Sequence, residues 1–579
     1  MLVNSYDTET TGLRLHYGDR AFAYSICTRD GVTDVRRLDG GPVRRVRNLQ
    51  RLRQLWDNRD FVPVMHNAKF DLTATEYALG RSLSARPFHD TILQAHILIN
   101  HHPSHRLKQL AWELANVPVD DEKKVRQFCK DGGNYSMVPE ELMQLYQERD
   151  AERTMLLHLF FMPKILARRE WREIYAMEID LVRTTMQMER RGMMLCRKAC
   201  TKLIARLEAR VDSVLDEIEA FAGERLNPDK PTHLFRLLFD YAGLPILART
   251  KTKLPCTNKA TLAQLREAHP HPAIEMLVKY RSWSRGITML RSYMNLADGN
   301  DIIYPNIRTC GAITGRESSS NPNLQNVAKS EVLLNPYPVP ARLAFRPRPG
   351  YVNFHLDYSG QEMRLLVHYS GEPVLIDALR KGEDVHGPGG RIFYVDSYDP
   401  TGPQRGAVKN CNFAISYGAG LTKVATVLGL SLAVAAPRYK LYKATFPRLV
   451  GLAPLVANTV RQLGYVETYF GRRLHVPRSK AYMGTNYLIQ GTGAGITKRA
   501  QNRVRRYLNK ATGGEAQILL PIHDEIVLEY PRKRLADARH VLRHIVELME
   551  AFDLRVPLAV DVNVATADWE HKQVFDIGG

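Results

Sequence analysis

Cysteine is scarce in this chain of 579 residues, which contains only seven, with no C-x-x-C pair and no regular spacing. A small disulfide-stapled fold needs many closely spaced cysteines, and a zinc ribbon needs paired ones. Neither class is indicated, and the composition favours a reducing compartment.

Long apolar runs are also missing. No stretch approaches the roughly 18 uninterrupted apolar residues of a membrane span, and Asp7 and Glu9 come too early to leave room for an apolar signal segment. Internal repeats and low-complexity tracts are not apparent. We therefore expect a soluble, cytoplasmic protein without a membrane partner.

The charge is strongly one-sided. Lysine and arginine total 81 against 61 aspartate and glutamate, a formal net charge of +20. Such an excess favours a polyanionic partner, most plausibly nucleic acid bound through its phosphates. The alternative is a merely soluble basic protein.

Length and patterning indicate several packed units, since domains usually have roughly 100 to 200 residues. Residues 1–160 mix strand-like and helical runs, which predicts an α/β domain. Long helices are expected across 164–210 with a break at Arg191-Gly192, and a domain boundary near 165–190. Residues 192–300 are predicted to be mainly helical, and 518–530 a strand, a turn and a strand.

Carboxylates mark the N-terminal region. Asp7 and Glu9 share one face of a predicted strand, Asp71 follows an apolar run, and Tyr146 and Asp150 lie one helical turn apart. A lone D-x-E pattern is usually a solvated strand edge, so only the set predicts a metal site. Paired metal ions on carboxylates are a common device for phosphoryl transfer.

Other residues nearby are also candidates for metal binding. Asp90, His101, His102 and His105 could be further ligands. A helix cap at Asp90 and a polar loop around the histidines is the preferred interpretation.

The second half holds further polar motifs. Residues 314–326 combine a cation, hydroxyls and amides typical of a loop that binds phosphates or bases. Asp357 ends a strand-like run before a helical pattern. His523, Asp524 and Glu525 interrupt an apolar hairpin, where unpaired charge is costly and a bound cation would relieve it.

A helix face predicted over 403–418 carries Arg405, Lys409, Phe413 and Tyr417 at intervals of four residues. Two cations followed by two aromatic rings suit a triphosphate and then a base or sugar. The alternative for this helix alone is a basic surface stripe that runs into core aromatic residues.

In this order, the N-terminal set resembles the DEDDy family of 3′→5′ exonucleases over residues 1–165. The later segments resemble the family A DNA polymerases, from the helical stretch near Glu178 to Gly192, through the polar block 314–326, to Asp568-Trp569. The resemblance implies a multidomain α/β and α+β protein. Its parts would be an RNase H-like exonuclease domain at 1–170 and a right-hand polymerase domain at 171–579, with thumb at 192–300, palm at 301–375 and 480–579, and fingers at 376–479.

The resemblance also implies metal ligands. Two Mg²⁺ ions, for which Mn²⁺ is an expected substitute, would occupy each site. In the exonuclease site the ligands would be Asp7, Glu9, Asp71 and Asp150, with Tyr146 orienting the attacking water. In the polymerase site the implied ligands are Asp357, Asp524 and the carbonyl of Tyr358, with Glu525 in a supporting role.

Substrate contacts follow by the same resemblance. The implied ligands of the triphosphate of an incoming dNTP are Arg405, Lys409 and His386. Phe413 would pack beside the sugar, Glu362 would exclude a ribose 2′-hydroxyl, and Tyr417 would lie in the template-side pocket. Primer-template DNA would be contacted by Arg316, Asn486, Gln490 and His523.

Four positions depart from the usual family pattern, namely Gly360, Ala414, Tyr482 and Pro521. They put minor-groove and template contacts in doubt, while the metal-binding carboxylates are intact. We expect no 5′ nuclease domain before the exonuclease-like part, and no docking element for a thioredoxin-type clamp, because no long insertion interrupts 192–300.

The compact layout favours a monomeric phage replicative enzyme, with a bacterial or organellar source left open. Helicase, primase and single-strand binding protein are the expected partners besides DNA. Two alternatives are a nuclease whose second half only binds DNA and an enzyme that incorporates ribonucleotides; the intact Asp357 and Asp524 argue against the first, and Glu362 against the second.

Overall fold

The structure is a computed structural model that describes residues 2–327 and 337–578. Its first region contains β1 (Leu2–Thr10), β2 (Ala21–Cys27), β3 (Thr33–Arg37), α1 (Pro42–Asp57), β4 (Phe61–Met65), α2 (Ala68–Leu79), β5 (His89–Asp90), α3 (Thr91–Ile99), α4 (Leu107–Ala115), α5 (Asp120–Lys130) and α6 (Glu140–Leu166).

The first region is built on a five-stranded sheet of order β3-β2-β1-β4-β5. β1 pairs antiparallel to β2 and parallel to β4. All five residues of β4 are buried, as expected for a strand covered by helices on both faces. The predicted α/β domain is therefore confirmed, with β1 at the centre of its sheet.

Helix α7 (Arg169–Arg191) joins the two regions. Its residues Ile174 and Val182 pack in the core of the first region, whereas Met188 packs in that of the second. The helix ends at Gly192, which has φ of 64°, and a Cβ there would lie 2.7 Å from the carbonyl oxygen of Ile303. The predicted break is confirmed, while the division at residue 170 stays a prediction because α7 packs on both regions.

The second region contains β6 (Met193–Met194), α8 (Arg197–Ala222), α9 (Pro231–Phe235), α10 (Lys259–Ala268), α11 (Pro272–Leu296), β7 (Ile302–Ile303), β8 (Asn306–Arg308), β9 (Ser318–Ser320), β10 (Tyr351–Tyr358), α12 (Gln361–Ser370), α13 (Pro373–Arg380), α14 (Gly387–Tyr394), α15 (Pro403–Ser416), α16 (Leu421–Leu428), α17 (Leu432–Thr445), α18 (Pro447–Leu463), β11 (Tyr465–Glu467), β12 (Arg473–His475), α19 (Gly484–Ala511), β13 (Gln517–Ile522), β14 (Glu525–Pro531), α20 (Leu535–Glu550), β15 (Val560–Ala565) and β16 (Lys572–Val574).

An antiparallel sheet of order β13-β14-β10-β15-β16 forms the centre of the second region. The helices α8 to α11 confirm the helical prediction for 192–300, and α15 confirms the helix predicted at 403–418. The strands β13 and β14 confirm the predicted hairpin. Strand β10 lies in the middle of the sheet, so its carboxyl end is held by a neighbour on each side.

Buried ion pairs join the two regions. Glu178 of α7 is fully buried and binds both Arg472 and Lys498 of the second region. Lys69 of α2 pairs with Glu189 of α7 and donates to the carbonyl oxygen of Ile307 at 2.5 Å. Breaking such a pair leaves an uncompensated buried charge, so these contacts hold the regions in one arrangement.

Over residues 2–327 and 337–578, no single helix is long and apolar enough to span a membrane. A bent pair, α16 with α17, meets the length and composition test only when taken together.

Candidate active sites

A cluster of carboxylates lies at the centre of the first region. Asp7 and Glu9 project from β1 and Asp150 from α6, and an oxygen of each lies within 4.8 Å of the others. Strand alternation places the first two on one face, and α6 packs across that face. The structure thus brings together three of the four carboxylates predicted for this site.

Burial raises the pKa of Asp7 well above its usual range and that of Glu9 to about 8, and the neighbouring carboxylates raise both further. Carboxylate oxygens are the ligands that Mg²⁺ prefers. A divalent cation would offset this repulsion, so the donor set fits the metal.

Asp71 lies beside this cluster but outside the group of converging oxygens. Its Oδ1 accepts hydrogen bonds from the backbone N and Oγ1 of Thr8 at 2.9 and 2.7 Å. Burial raises its pKa to about 7. Its role as a metal ligand stays a prediction.

Tyr146 and Asp150 share one face of α6, as predicted, and both contact Lys108 of α4. The Lys108 ammonium donates to the Tyr146 hydroxyl at 2.7 Å and also binds Asp150 Oδ2. Arg153 donates to Asp150 Oδ1 at 2.8 Å. Sequence reasoning missed both cations. The position of Arg153, three residues after Asp150 on one helix, was an available signal, whereas Lys108 lies 42 residues from Asp150.

Asp90 caps a helix, as the preferred interpretation expected. Its Oδ1 accepts from the backbone N of Ile92 at 2.8 Å at the start of α3. The His101 ring lies tilted against that of His475 with ring centroids 4.3 Å apart, and His102 contacts Glu113 at 2.6 Å. These histidines do not join the carboxylate cluster.

A cavity of about 1080 Å³ adjoins the cluster. Lys108 lines this cavity and contacts Asp150, so it connects the two. Leu13, Asn67 and Phe70 line the cavity from the first region, and residues 306–311 line it from the second. The cavity therefore lies at the junction of the two regions.

The second site lies at the end of β10. Asp357 is the penultimate residue of this strand, and Asp524 lies in the turn between β13 and β14. The backbone N of Tyr358 donates to the carbonyl oxygen of Asp524 at 3.3 Å, which holds the strand end against the turn. Burial raises the pKa of Asp524.

A cavity of about 730 Å³ opens over these carboxylates. Helix α15 supplies cations and an aromatic ring to it, so carboxylates and cations line one space. The predicted site residues that line it are Asp357, Tyr358, Glu362, His386, Arg405, Lys409, Phe413 and Asp524.

Glu525 is held by its neighbours. Its Oε1 contacts His355 Nδ1 at 2.5 Å and Lys572 Nζ at 2.9 Å. Burial opposes ionisation, but these two contacts outweigh it and lower the pKa of Glu525 to about 2. The supporting role predicted for Glu525 stays a prediction, and sequence reasoning missed both partners.

Two of the residues predicted to bind the triphosphate already contact other side chains of the protein. Arg405 Nε donates to Asp384 Oδ2 at 2.8 Å. His386 is 4% exposed, with Nδ1 3.0 Å from Asn412 Nδ2. Burial lowers the pKa of His386 to about 4. Near neutral pH the His386 ring is thus uncharged, and the two cations of α15 carry the positive charge.

Other predicted contacts lie at the margin. Glu362 binds Arg316 at 2.5 Å and Tyr417 at 3.5 Å, which ties both to the cavity wall. Asn486 and Gln490 bond to each other on α19 at 2.9 Å and, like the exposed His523, do not line the cavity. Their contacts to DNA stay predictions.

The structure shows the local contacts of two of the four positions that depart from the usual family pattern. Gly360 precedes α12 with φ of 64°, a conformation that side-chain-bearing residues rarely adopt. Pro521 accepts at its carbonyl oxygen from Gln325 Nε2 at 3.0 Å. Asp561 of β15, which sequence reasoning missed, is the register partner of Asp357 on the neighbouring β10 and also lines the cavity.

The chain thus combines a five-stranded mixed sheet that carries clustered carboxylates with a second region in which carboxylates and the cations of one helix line the same cavity.

Comparison with family models agrees. Residues 197–571 match DNA polymerase family A, and residues 3–166 match the 3′-5′ exonuclease domain of these proteins. The chain therefore belongs to DNA polymerase family A.

Individual relatives are consistent with this assignment. The chain is 29% identical to DNA polymerase I of Rhizobium leguminosarum over 95% of its own length and 55% of that protein. It is 31% identical to the thermostable DNA polymerase I of Thermus thermophilus over 76% of its length and 52% of that protein. The chain thus spans about half the length of these curated relatives.

A solved structure shares the fold. The POL domain of Pol1 from M. smegmatis, in complex with DNA primer-template and dNTP, superposes with a TM-score of 0.80 at 23% identity. The match covers 98% of this chain and 96% of that one. The right-hand arrangement expected from the sequence is therefore supported at the level of the fold.

Proposed function

We propose that the chain is a DNA-directed DNA polymerase that adds deoxynucleotides to a primer 3′ end and excises mispaired ends at its exonuclease site. The single observation that carries the polymerase half is the 730 Å³ cavity in which Asp357 and Asp524 face Arg405 and Lys409. Such a space admits a triphosphate between carboxylates that bind metal and cations that bind phosphate.

The carboxylates fit divalent metal. Asp357, Asp524 and the carbonyl of Tyr358 would hold Mg²⁺, or Mn²⁺ in its place. When bound, the metal supplies activation of the primer hydroxyl and charge stabilisation of the leaving group. The chain's own work is positioning, because phosphoryl transfer needs the reacting oxygens in line.

Arg405 and Lys409 would bind the triphosphate, with His386 contributing a neutral ring. Arg405 would exchange Asp384 for phosphate when the nucleotide enters. Phe413 and Glu362 would contact the sugar, and Tyr417, tied to Glu362, would border the template side. Arg316, Asn486, Gln490 and His523 would contact the primer-template.

At the first site, Asp7, Glu9 and Asp150 would hold metal, with Asp71 beside them. The Tyr146 hydroxyl would orient the attacking water. A frayed 3′ end would reach this site along the 1080 Å³ cavity, whose walls carry Phe70 and Trp112 as stacking surfaces.

The thumb, palm and fingers are assigned to the ranges expected from the sequence. We further propose a cytoplasmic, monomeric enzyme that replicates a phage genome with helicase, primase and single-strand binding protein as partners. The presence of a proofreading site beside the proposed polymerase site in one chain supports the replicative role.

Primer extension tests the proposal. Wild type, Asp357→Ala and Asp7→Ala are given dNTPs, Mg²⁺ and primers with matched or mismatched 3′ ends. Extension lost only in Asp357→Ala, with mismatch excision lost only in Asp7→Ala, is the expected result. No extension by the wild type would reduce the second region to a DNA-binding scaffold, and ribonucleotide use rivalling that of dNTPs would contradict the role of Glu362.

A further inference from the structure

Lys108 is built into the exonuclease site. Its ammonium reaches the Tyr146 hydroxyl at 2.7 Å and the Asp150 carboxylate, and it lies 3.9 Å from the centre of the Tyr146 ring. The side chain is only 13% exposed. One lysine thus touches both functional groups of α6.

The backbone beneath Lys108 is fixed. Helix α4 packs Leu107, Leu110 and Ala111 inward, and the first two join Leu157 and Phe161 of α6 in one buried cluster. The helix that carries Lys108 is therefore packed on the helix that carries Tyr146 and Asp150. A side chain on such a support occupies a defined position.

The charges around Asp150 differ from those around its partners. Its two oxygens bind two different cations, Lys108 at Oδ2 and Arg153 at Oδ1. Arg153 is fully buried and also binds Asp121, which offsets its charge. Lys108 is thus the cation whose charge is directed mainly to the carboxylate cluster.

We propose that Lys108 is a positioning residue of the exonuclease site, which holds the Tyr146 hydroxyl and the Asp150 carboxylate in register and contributes a positive charge that opposes metal binding. This inference rests on the exonuclease activity proposed above. An ammonium has three N–H donors, so a lysine suits simultaneous contact with a hydroxyl and a carboxylate. Holding Asp150 Oδ2 also means that a metal ion must compete for that oxygen.

Two opposite effects follow from this arrangement. Lys108→Met should lower the excision rate constant about 10- to 100-fold, the range typical of lost partners around metal ligands. The same change should tighten metal binding, because it removes a positive charge beside the carboxylates and frees Asp150. A merely structural role predicts a loss of rate without tighter binding.

The experiment measures both quantities on the full chain. Mn²⁺ binding is titrated in Asp357→Ala backgrounds, which suppress the polymerase site, and excision of a mismatched 3′ end is followed at saturating Mg²⁺. Lys108→Met is compared with Lys108→Arg, which keeps the charge, and with Lys124→Met, an exposed lysine of α5. Tyr146→Phe and the double variant complete a cycle.

We expect slower excision and tighter Mn²⁺ binding in Lys108→Met, partial rescue in Lys108→Arg, and no change in Lys124→Met. The double variant of Lys108→Met and Tyr146→Phe should excise little more slowly than the slower of the two single variants. Unchanged or faster excision in Lys108→Met would overturn the proposal, as would unchanged or weaker Mn²⁺ binding, or rate losses that multiply. Failure of the proposed function looks different, since wild-type excision would then be absent or insensitive to Asp7→Ala.

Discussion

The two carboxylate sites of this chain are built differently. At the exonuclease site Asp7, Glu9 and Asp150 converge within 4.8 Å, and Lys108 and Arg153 bind Asp150 directly. At the polymerase site Asp357 at the end of β10 and Asp524 in the turn between β13 and β14 line a 730 Å³ cavity together with Arg405 and Lys409 of α15.

The difference is consistent with the function proposed for each site. Hydrolysis would need one phosphodiester and one water, so carboxylates and cations can lie in direct contact. Nucleotide addition would need a triphosphate to enter and pyrophosphate to leave, which an open cavity lined by both carboxylates and cations would allow.

The largest expected effect separates the two sites. Asp524→Asn should lower primer extension at least about 100-fold while mismatch excision stays near wild type, and Glu9→Gln should do the reverse, because each change removes a proposed metal ligand from one site only. Rates are measured on matched and mismatched primers. Asp396→Asn, an exposed control, should change neither. Equal loss of both activities in Asp524→Asn would show that the sites are not independent.

The buried ion pairs of Glu178, which join the two regions, should give the next largest effect. Glu178→Gln leaves Arg472 and Lys498 buried without their counter-charge, so we expect destabilisation of about 3 to 5 kcal/mol. Calorimetry measures the unfolding transition on heating. The loss of primer extension and of mismatch excision with temperature is measured in parallel. Glu173→Gln on the exposed face of the same helix is the control. If only one activity became heat-sensitive, the ion pairs of Glu178 would stabilise one region alone.

A smaller effect concerns Glu525 and its support from β16. Lys572→Met removes a contact that helps to lower the pKa of Glu525 to about 2. The carboxylate of Glu525 stabilises the fold at neutral pH, and the variant differs from wild type only in the folded-state pKa of this carboxyl. We therefore expect a deficit of about 1 kcal/mol at pH 7 that persists at mildly acidic pH and shrinks as the pH approaches 2, where Glu525 is protonated in the folded state.

Unfolding at pH 7 and at about pH 2 measures this deficit, because only the lower pH protonates Glu525 in the folded state. Lys533→Met, which removes an exposed pairing with Glu515, is the matched control. A deficit that is the same at both pH values would mean that Lys572 acts through packing and not through the charge of Glu525.

Much of the first site was predictable because its signals are local. Alternation on β1 pairs Asp7 with Glu9, and one helical turn pairs Tyr146 with Asp150. The same holds for the stripe Arg405, Lys409 and Phe413 on α15. Sequence could not reveal Lys108, because a lone lysine on a short amphipathic helix carries no periodic or motif signal.

Contacts across the sheet were equally hidden. His355 and Lys572 meet Glu525, and Asp561 faces Asp357, only because β14, β10, β15 and β16 pair in one register. Register is set by long-range pairing and by burial of one face, neither of which a short segment encodes.

The sequence by itself determined which carboxylates and cations are proposed to bind metal and phosphate, the helices and strands that carry them, and the family to which the chain belongs. Only the tertiary structure decided which cations stand in contact with which carboxylates, and that Asp71 lies outside the converging oxygens. The physical reason is that short-range periodicity is written along the chain, whereas the charge surrounding a buried group depends on every element packed against it.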